Sequence, residues 1–380
     1  MVKICNTSTC LIEVLVKIKC LSIMQNKHIL WIDDARTLTM LLVIIGHCSY
    51  TNLMTPYGGI SYFSNISFEE YSFGEKLLST LVGFIYSFHM PLFMMLSGAC
   101  FSLTIHKVAG LKAFVSNKAR RLLVPFLFTT LLLSVPLKYM SGYYSESANV
   151  LEDIVLGQFL LMGNSHLWFV VSLFWIFLMY YGLHQKHLTN KRWFLPGMVG
   201  ISIVATYFTN KGIEFLGILA AFKHLVYFAF GFKHLRKLDT MMWGGQVLLL
   251  NIVIYSLLFL AFWKYGNDTA FMKVVHYIYT VVMGVYGSII MIQFTKYFGK
   301  FNCITNLRLY KTFSRYSYEL YLFSDPFNYV LVYLTYLVLG DFVTSNVDAF
   351  LAFFIRFLGT IILAMLVIWI KNKIQTITKR

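Results

Sequence analysis

Residues 347–370 read VDAFLAFFIRFLGTIILAMLVIWI, with Asp348 and Arg356 the only charged side chains in the run. A helix needs ~20 mainly apolar residues to cross the hydrocarbon core of a bilayer, and this stretch supplies them. The same rule, applied back toward the N-terminus, predicts further spans at 35–54, 77–103, 122–140, 166–183, 193–210, 213–231, 241–262, 274–296 and 316–338. Composition agrees. The 380 residues are 58% hydrophobic and 13% charged, with a mean hydropathy of +0.68, whereas soluble domains carry ~25% charged residues. A soluble enzyme, a disordered chain and a disulfide scaffold are excluded. The sequence predicts an all-α polytopic membrane protein with about ten transmembrane helices, its 35 Phe, 25 Tyr and 7 Trp suited to interfacial aromatic belts.

The formal net charge of +16 suits either nucleic acid or membrane topology, and the loops decide. With the N-terminus cytoplasmic, 25 of the 32 Lys and Arg fall in inner segments. Five lie outside (Lys76, Lys138, Lys211, Lys264, Lys273), and Lys223 and Arg356 lie within spans. Cytoplasmic loops collect Lys and Arg, so both termini are expected in the cytoplasm and no nucleic-acid partner is implied. Residues 1–30 read as a cytoplasmic tail whose apolar runs are broken by Glu13, Lys17 and Lys19. An interfacial amphipathic helix and a loose tail both fit it. Residues 31–371 form the membrane domain and 372–380 a second cytoplasmic tail. The cysteines at 5, 10, 20, 48, 100 and 303 form no CxxC pair, and none falls in a predicted outer loop. No metal site, redox site or disulfide is expected. The longest outer loops, 55–76 and 141–165, carry Glu69, Glu70, Glu75, Glu146, Glu152 and Asp153 among Tyr and Ser. They could receive a polar substrate or simply be solvated.

An ionisable group inside a span is expensive and marks function by default. In the first span Arg36 sits at the cytoplasmic edge and His47 lies eleven residues on. At 1.5 Å per residue the imidazole is ~16 Å deeper, on nearly the same helical face. The second span carries His89 at a comparable depth, then Pro91, Ser97 and Gly98, so a bend with a freed carbonyl is expected. The next inner loop ends Lys118-Ala119-Arg120-Arg121, which would gather with Arg36 at one mouth. Guanidinium groups make forked contacts with phosphate, so a phosphate-bearing cytosolic ligand fits there. His166 and Trp168 open the fourth span, either as interfacial aromatics or as substrate contacts. The ninth span holds Glu319 and Asp325. Asp325 matches Arg356 in depth, which predicts a structural ion pair; Lys223 could snorkel or pair with Glu214.

Arg36-x10-His47, Phe88-His89-Met90-Pro91-Leu92-Phe93, Leu96-Ser97-Gly98, the basic stretch from Lys118 to Phe126 and His166-Leu167-Trp168-Phe169 occur in this order along the chain. Together they resemble the acyltransferase 3 family of integral membrane acyltransferases, including its fucose O-acetylase-like branch, over residues ~31–370. The chain departs from the family where many members read Tyr-Leu-Phe-His-x-Pro; here the run is Tyr321-Leu322-Phe323-Ser324-Asp325-Pro326. A role of that late His does not carry over. The resemblance implies transfer of an acyl group, commonly acetyl from cytosolic acyl-CoA, to a hydroxyl of a cell-surface or exported glycan at the inner cell membrane. Polysaccharide biosynthesis or export proteins would be its partners. On that reading Arg36, Arg120 and Arg121 hold the phosphates of acyl-CoA. His47 is the base on that reading. His89 or Ser97 orients His47 or stabilises the oxyanion, and His166 and Trp168 contact the acceptor. The competing class is an ion- or proton-coupled transporter relaying through His47, His89, Asp325 and Arg356.

Overall fold

A computed structural model describes residues 29–108, 110–264, 270–301 and 307–377. The expected N-terminal tail, apart from its last two residues, lies outside them. Helices dominate: α1 Leu30–Cys48, α2 Phe73–Tyr86, α3 His89–Thr104, α4 Leu111–Thr129, α5 Val135–Met140, α6 Val150–Asp153, α7 Trp168–Gln185, α8 Phe194–Thr209, α9 Ile218–Thr240, α10 Gly245–Lys264, α11 Ala270–Gly299, α12 Arg308–Arg315, α13 Ser317–Leu339 and α14 Asn346–Ile377. Among the described residues the sheet structure is one antiparallel hairpin, β1 Leu53–Thr55 with β2 Gly58–Ile60, in which Leu53 faces Ile60. Seven helical stretches are long and apolar enough to cross a membrane: Phe73–Lys107, Leu111–Met140, Trp168–Gln185, Gly245–Phe262, Met272–Gly299, Ser317–Leu339 and Asn346–Ile377. This is a multi-pass membrane protein. Helices α1, α8 and α9 occupy the positions of the other three expected spans. At 16 residues α8 is short, and α9 carries Lys223, Lys233, Arg236, Lys237 and Asp239.

Helix α3 is the hub. It buries residues all round its axis, from His89 through Leu96, Gly98 and Ala99. Such a helix belongs in the interior of a bundle. Against α9 it approaches to backbone contact: a Cβ on Gly98 would run into the Phe228 carbonyl, and one on Gly231 into the Met95 carbonyl. The peripheral helices show the opposite pattern, with Leu249, Leu257 and Leu260 of α10 and Phe354, Leu358, Ile362 and Trp369 of α14 exposed. Large apolar side chains in such number suit lipid rather than water.

Two expectations are corrected by the backbone. The second span is two helices that meet at Ser87 and Phe88, where Phe88 leaves helical geometry at φ −138°. Pro91 therefore falls in the first turn of α3, where its missing N–H costs no hydrogen bond. The imidazole of His89 instead meets the Ile85 carbonyl of α2 through Nδ1 at 2.9 Å. The first span, expected to run to residue 54, ends at Cys48. Ser49 turns back on it, its hydroxyl donating to the Ile45 carbonyl at 2.7 Å. His47 thus lies in the last turn of its helix.

The two long loops are packed. Ile60, Phe63, Tyr143 and Tyr144 form one buried cluster with Tyr329 and Val332 of α13 and with Phe342 and Val343. Lys138, expected in an outer loop, is buried at 1% exposure and donates to Gln158 Oε1 at 3.0 Å and to the Asn164 carbonyl. Because the α3–α9 approach leaves no room for a side chain, Gly231→Leu should destabilise the bundle by ~1–3 kcal/mol or more. Thermal unfolding of the detergent-solubilised protein checks this, with Gly200→Leu as control, since nothing lies within 4 Å of a Cβ there.

Candidate active site

The site forms where the C-terminal turn of α1, the segment entering α7 and the first half of α13 converge. His47 Nδ1 stands 2.6 Å from Asp325 Oδ1, and His166 Nδ1 stands 3.2 Å from Asp325 Oδ2. The Tyr50 hydroxyl donates to Asp325 Oδ1 at 3.0 Å. One carboxylate, 2% exposed, therefore serves three side chains. A buried carboxylate is tolerable only when its lone pairs are met in this way. With Nδ1 of His47 turned to Asp325, Nε2 is the nitrogen left to act on a substrate. The His47 side chain is 13% exposed, so the ring is sheltered but reachable.

The backbone that carries His47 is held independently. Asn328 Nδ2 donates to the His47 carbonyl at 2.8 Å, and Arg356 donates to the same carbonyl at 3.2 Å and to that of Tyr50 at 2.6 Å. Arg356 Nε also donates to Asn328 Oδ1 at 2.9 Å, locking the two side chains together. The last carbonyls of a helix lack partners inside it, and here α13 and α14 provide them. This corrects the expected ion pair. Asp325 and Arg356 attract each other through space, but Asp325 accepts from Tyr50 and stands in ion-pair contact with His47 and His166, while the hydrogen bonds of Arg356 go to Asn328 and two carbonyls.

His89 does not orient His47. Its Nδ1 is spent on Ile85, and Tyr86 packs against both rings, with centroids 4.7 Å from His89 and 6.4 Å from His47. Ser97 is farther still. It lies eight residues along α3 from His89, ~12 Å at helical rise, toward the end where Cys100 meets Arg36. Of the expected acceptor contacts, His166 joins the Asp325 cluster and also meets the Leu322 carbonyl through Nε2 at 3.1 Å. Trp168 packs on His224 instead, with centroids 5.1 Å apart. Glu214 spends its carboxylate on the backbone N–H groups of Phe215, Leu219 and Ala220, and Lys223 feels it only through space. Glu319 pairs with Lys371 at 3.1 Å.

The other end of α1 is cationic. Arg36 bridges Asp33 at 3.1 Å and Cys100 Sγ at 3.8 Å, its side chain 40% exposed. Cys100 also lies within the field of Lys118, and Lys118 within that of Arg121. Arg120 and Arg121 are exposed on α4, whose Arg121 carbonyl accepts from Tyr318 of α13. This set offers open, forked donors of the kind phosphate takes, with Asp33, Asp34 and Asp239 close by.

The match to the acyltransferase 3 family covers residues 29–370, as an acyltransferase domain. No curated protein and no solved structure matches the chain. The helical membrane bundle thus falls in a known enzyme class, the membrane acyltransferases. The chain belongs to the acyltransferase 3 family.

Sequence reasoning assigned Asp325 to an ion pair and passed over Tyr50 and Asn328. An acid in an apolar span was a usable signal for the first. Tyr50 and Asn328 carry no signal of their own, because their roles depend on how α1 and α13 dock. Arg356→Leu should leave the Tyr50 carbonyl and Asn328 Oδ1 short of a donor and cost ~2–4 kcal/mol. Asn328→Ala should cost less, since Arg356 still reaches His47. Paired unfolding curves of the two purified variants check the order.

Proposed function

We propose that the chain is an O-acyltransferase of the fucose O-acetylase-like branch. It moves an acyl group, acetyl in the simplest case, from cytosolic acyl-CoA to a hydroxyl of a cell-surface or exported glycan. In this reading the chain crosses the inner cell membrane ten times with both termini in the cytoplasm. The observation that carries it is the contact between His47 and Asp325 at one end of α1, with the Arg36 cluster at the other. Eleven residues separate Arg36 from His47, ~16 Å at helical rise, a length that a pantetheine arm spans.

His47 Nε2 accepts the proton of the acceptor hydroxyl as its oxygen attacks the thioester carbonyl. The C–S bond breaks as the tetrahedral intermediate collapses, and the imidazolium returns its proton to the leaving CoA thiolate. Asp325 stabilises the imidazolium and holds its Nδ1–H tautomer. Tyr50 and His166 keep the carboxylate in place. Arg36, with Arg120 and Arg121, holds the donor phosphates at the cytoplasmic mouth.

A transporter relay through His47, His89, Asp325 and Arg356 gains no support from the geometry, because His89 and Arg356 spend their donors on carbonyls. His47→Ala should abolish O-acylation in a deletion strain, while Asp325→Asn, which keeps the shape, should lower turnover by ~10²–10⁴. Glycan O-acyl content at matched membrane expression reads both. Normal acylation by either variant removes the pair from catalysis. In sealed vesicles of defined orientation, labelled acyl-CoA should support transfer only from the face that bears the Arg36 cluster. Equal transfer from either face would refute donor delivery from the cytosol.

A further inference from the structure

Beyond the end of α1 that carries His47, the β1–β2 hairpin and the segment following α5 enclose a cavity of about 470 Å³. Small-molecule sites run from ~300 to 1,000 Å³. One wall comes from Thr55, Gly58, Gly59 and Ser61, the other from Tyr143 and residues 145–149 with Glu152 and Asp153. The wall is built rather than incidental. Gly58 has φ +108°, and a Cβ there would run into the Tyr143 ring at 2.6 Å, so only glycine lets the hairpin lie against it.

The chemistry of the lining is one-sided. Three carboxylates (Glu146, Glu152, Asp153) line it with hydroxyls and amides, and no Lys or Arg does. Glu152 and Asp153 each have one oxygen held within the wall, by Asn149 at 3.2 Å and Ser147 at 2.5 Å. Among the described residues no group of three acidic, His or Cys side chains could hold a metal ion. A second observation points to a ligand. Tyr143 is 1% exposed, and its hydroxyl lies near Thr55 and Gln158 without meeting either in hydrogen-bond geometry. Burial pushes that hydroxyl's pKa up to about 12, so it remains a donor. A buried polar group in a native protein asks for a partner.

The cavity is coupled to the catalytic cluster through tyrosines. Tyr143 packs edge-on against Tyr329 at 5.5 Å, Tyr329 packs against Tyr50 at 6.2 Å, and the Tyr50 hydroxyl donates to Asp325 at 3.0 Å. The cavity and the Arg36 cluster therefore lie beyond opposite ends of the Arg36–His47 stretch. Lys138 sits behind this wall with its ammonium 4.5 Å from the Tyr143 ring centroid, committed to Gln158 and Asn164.

We propose that this cavity is the anchoring subsite for the acyl acceptor, and that it takes a neutral or amino-sugar-containing glycan while rejecting anionic ones. This rests on the glycan reading above and deepens it. Carboxylates accept strong, charge-assisted hydrogen bonds from sugar hydroxyls or ammonium groups. The same negative field repels uronic acids, sialic acids and phosphorylated sugars, which is specificity by exclusion. The anchored sugar sits on the far side of the tyrosines from His47.

The test uses the full-length protein in a deletion strain, with surface-glycan O-acyl content as one readout and acyl-CoA affinity of the purified chain as the other. Glu146 and Glu152 are exposed, so Glu146→Lys with Glu152→Lys should fold. The double variant should lower glycan O-acylation by about tenfold or more through misplaced charge, with acyl-CoA affinity unchanged. Tyr143→Phe, which removes only the hydroxyl, should lower acylation in the same direction. Mass spectrometry of the native product should place the acyl group on a stretch free of anionic sugars. Wild-type acylation by the lysine variant, a parallel loss of acyl-CoA affinity, or an acyl group on a uronic or sialic acid would each overturn the proposal. A wild-type chain that restores no glycan O-acyl group, yet binds acyl-CoA, would instead sink the glycan reading on which this one stands.

Discussion

The Asp325 carboxylate is the constraint around which the interior is arranged. It lies inside an otherwise apolar helix, and removing a carboxylate from water costs several kcal/mol unless good hydrogen bonds replace the lost solvation. Here the replacements come from His47, Tyr50 and His166, which lie far from it in sequence. Satisfying that one group therefore dictates where the end of α1 and the start of α7 sit relative to α13. Removing a partner from such a cluster leaves charge uncompensated, so the arrangement resists drift. That resistance is also what a base needs, because an imidazole that rotates freely presents the wrong nitrogen for most of the time.

The second constraint acts on backbone rather than side chain. A helix that ends inside protein leaves carbonyls without donors, and α1 ends one residue past His47. Arg356 and Asn328 take up those carbonyls, so the same residues that repair the helix end also fix the backbone of His47. The chain beyond it turns into the hairpin and its packed cap. Helix α1 thus carries three environments in order: a cationic mouth at Arg36, the imidazole in its last turn, and an acidic cavity past its end. The sign of charge reverses across the imidazole. Such an order suits a donor rich in phosphate on one side and a hydroxylated acceptor on the other.

The spans were legible because hydrocarbon demands a long apolar run, and that demand is local. The seven spanning helices fall at expected positions for this reason. Ionisable residues inside spans were legible as well, since each is costly where it stands, and Arg36, His47, His89, Asp325 and Arg356 all stood out. Their pairing was not. Depth along a helix says nothing about which neighbour faces which, so Asp325 was matched to Arg356 rather than to His47 and His166. Helix ends were obscured by the same apolarity that reveals helices: nothing in the composition of residues 49–54 or around Ser87 forbids continuation. The outer loops looked solvated because their acids dominate the reading. Their tyrosines and Phe63 are what pack, through contacts with α13 that no local pattern announces.

The departure from the family's late-span pattern bears on how much the site depends on each position of α13. Where many members place a His, this chain has Ser324, and the acid follows at Asp325. Consecutive residues on a helix point ~100° apart, so the two side chains cannot share one target. Asp325 is the one turned to His47, while Ser324, 2% exposed, is buried elsewhere in the bundle. Replacing His by Ser at 324 therefore removes an imidazole without touching the carboxylate that faces His47. The chain retains the His47–Asp325 pair, the clamp on its backbone and the cationic mouth, three features set by separate elements. A change at 324 leaves all three in place.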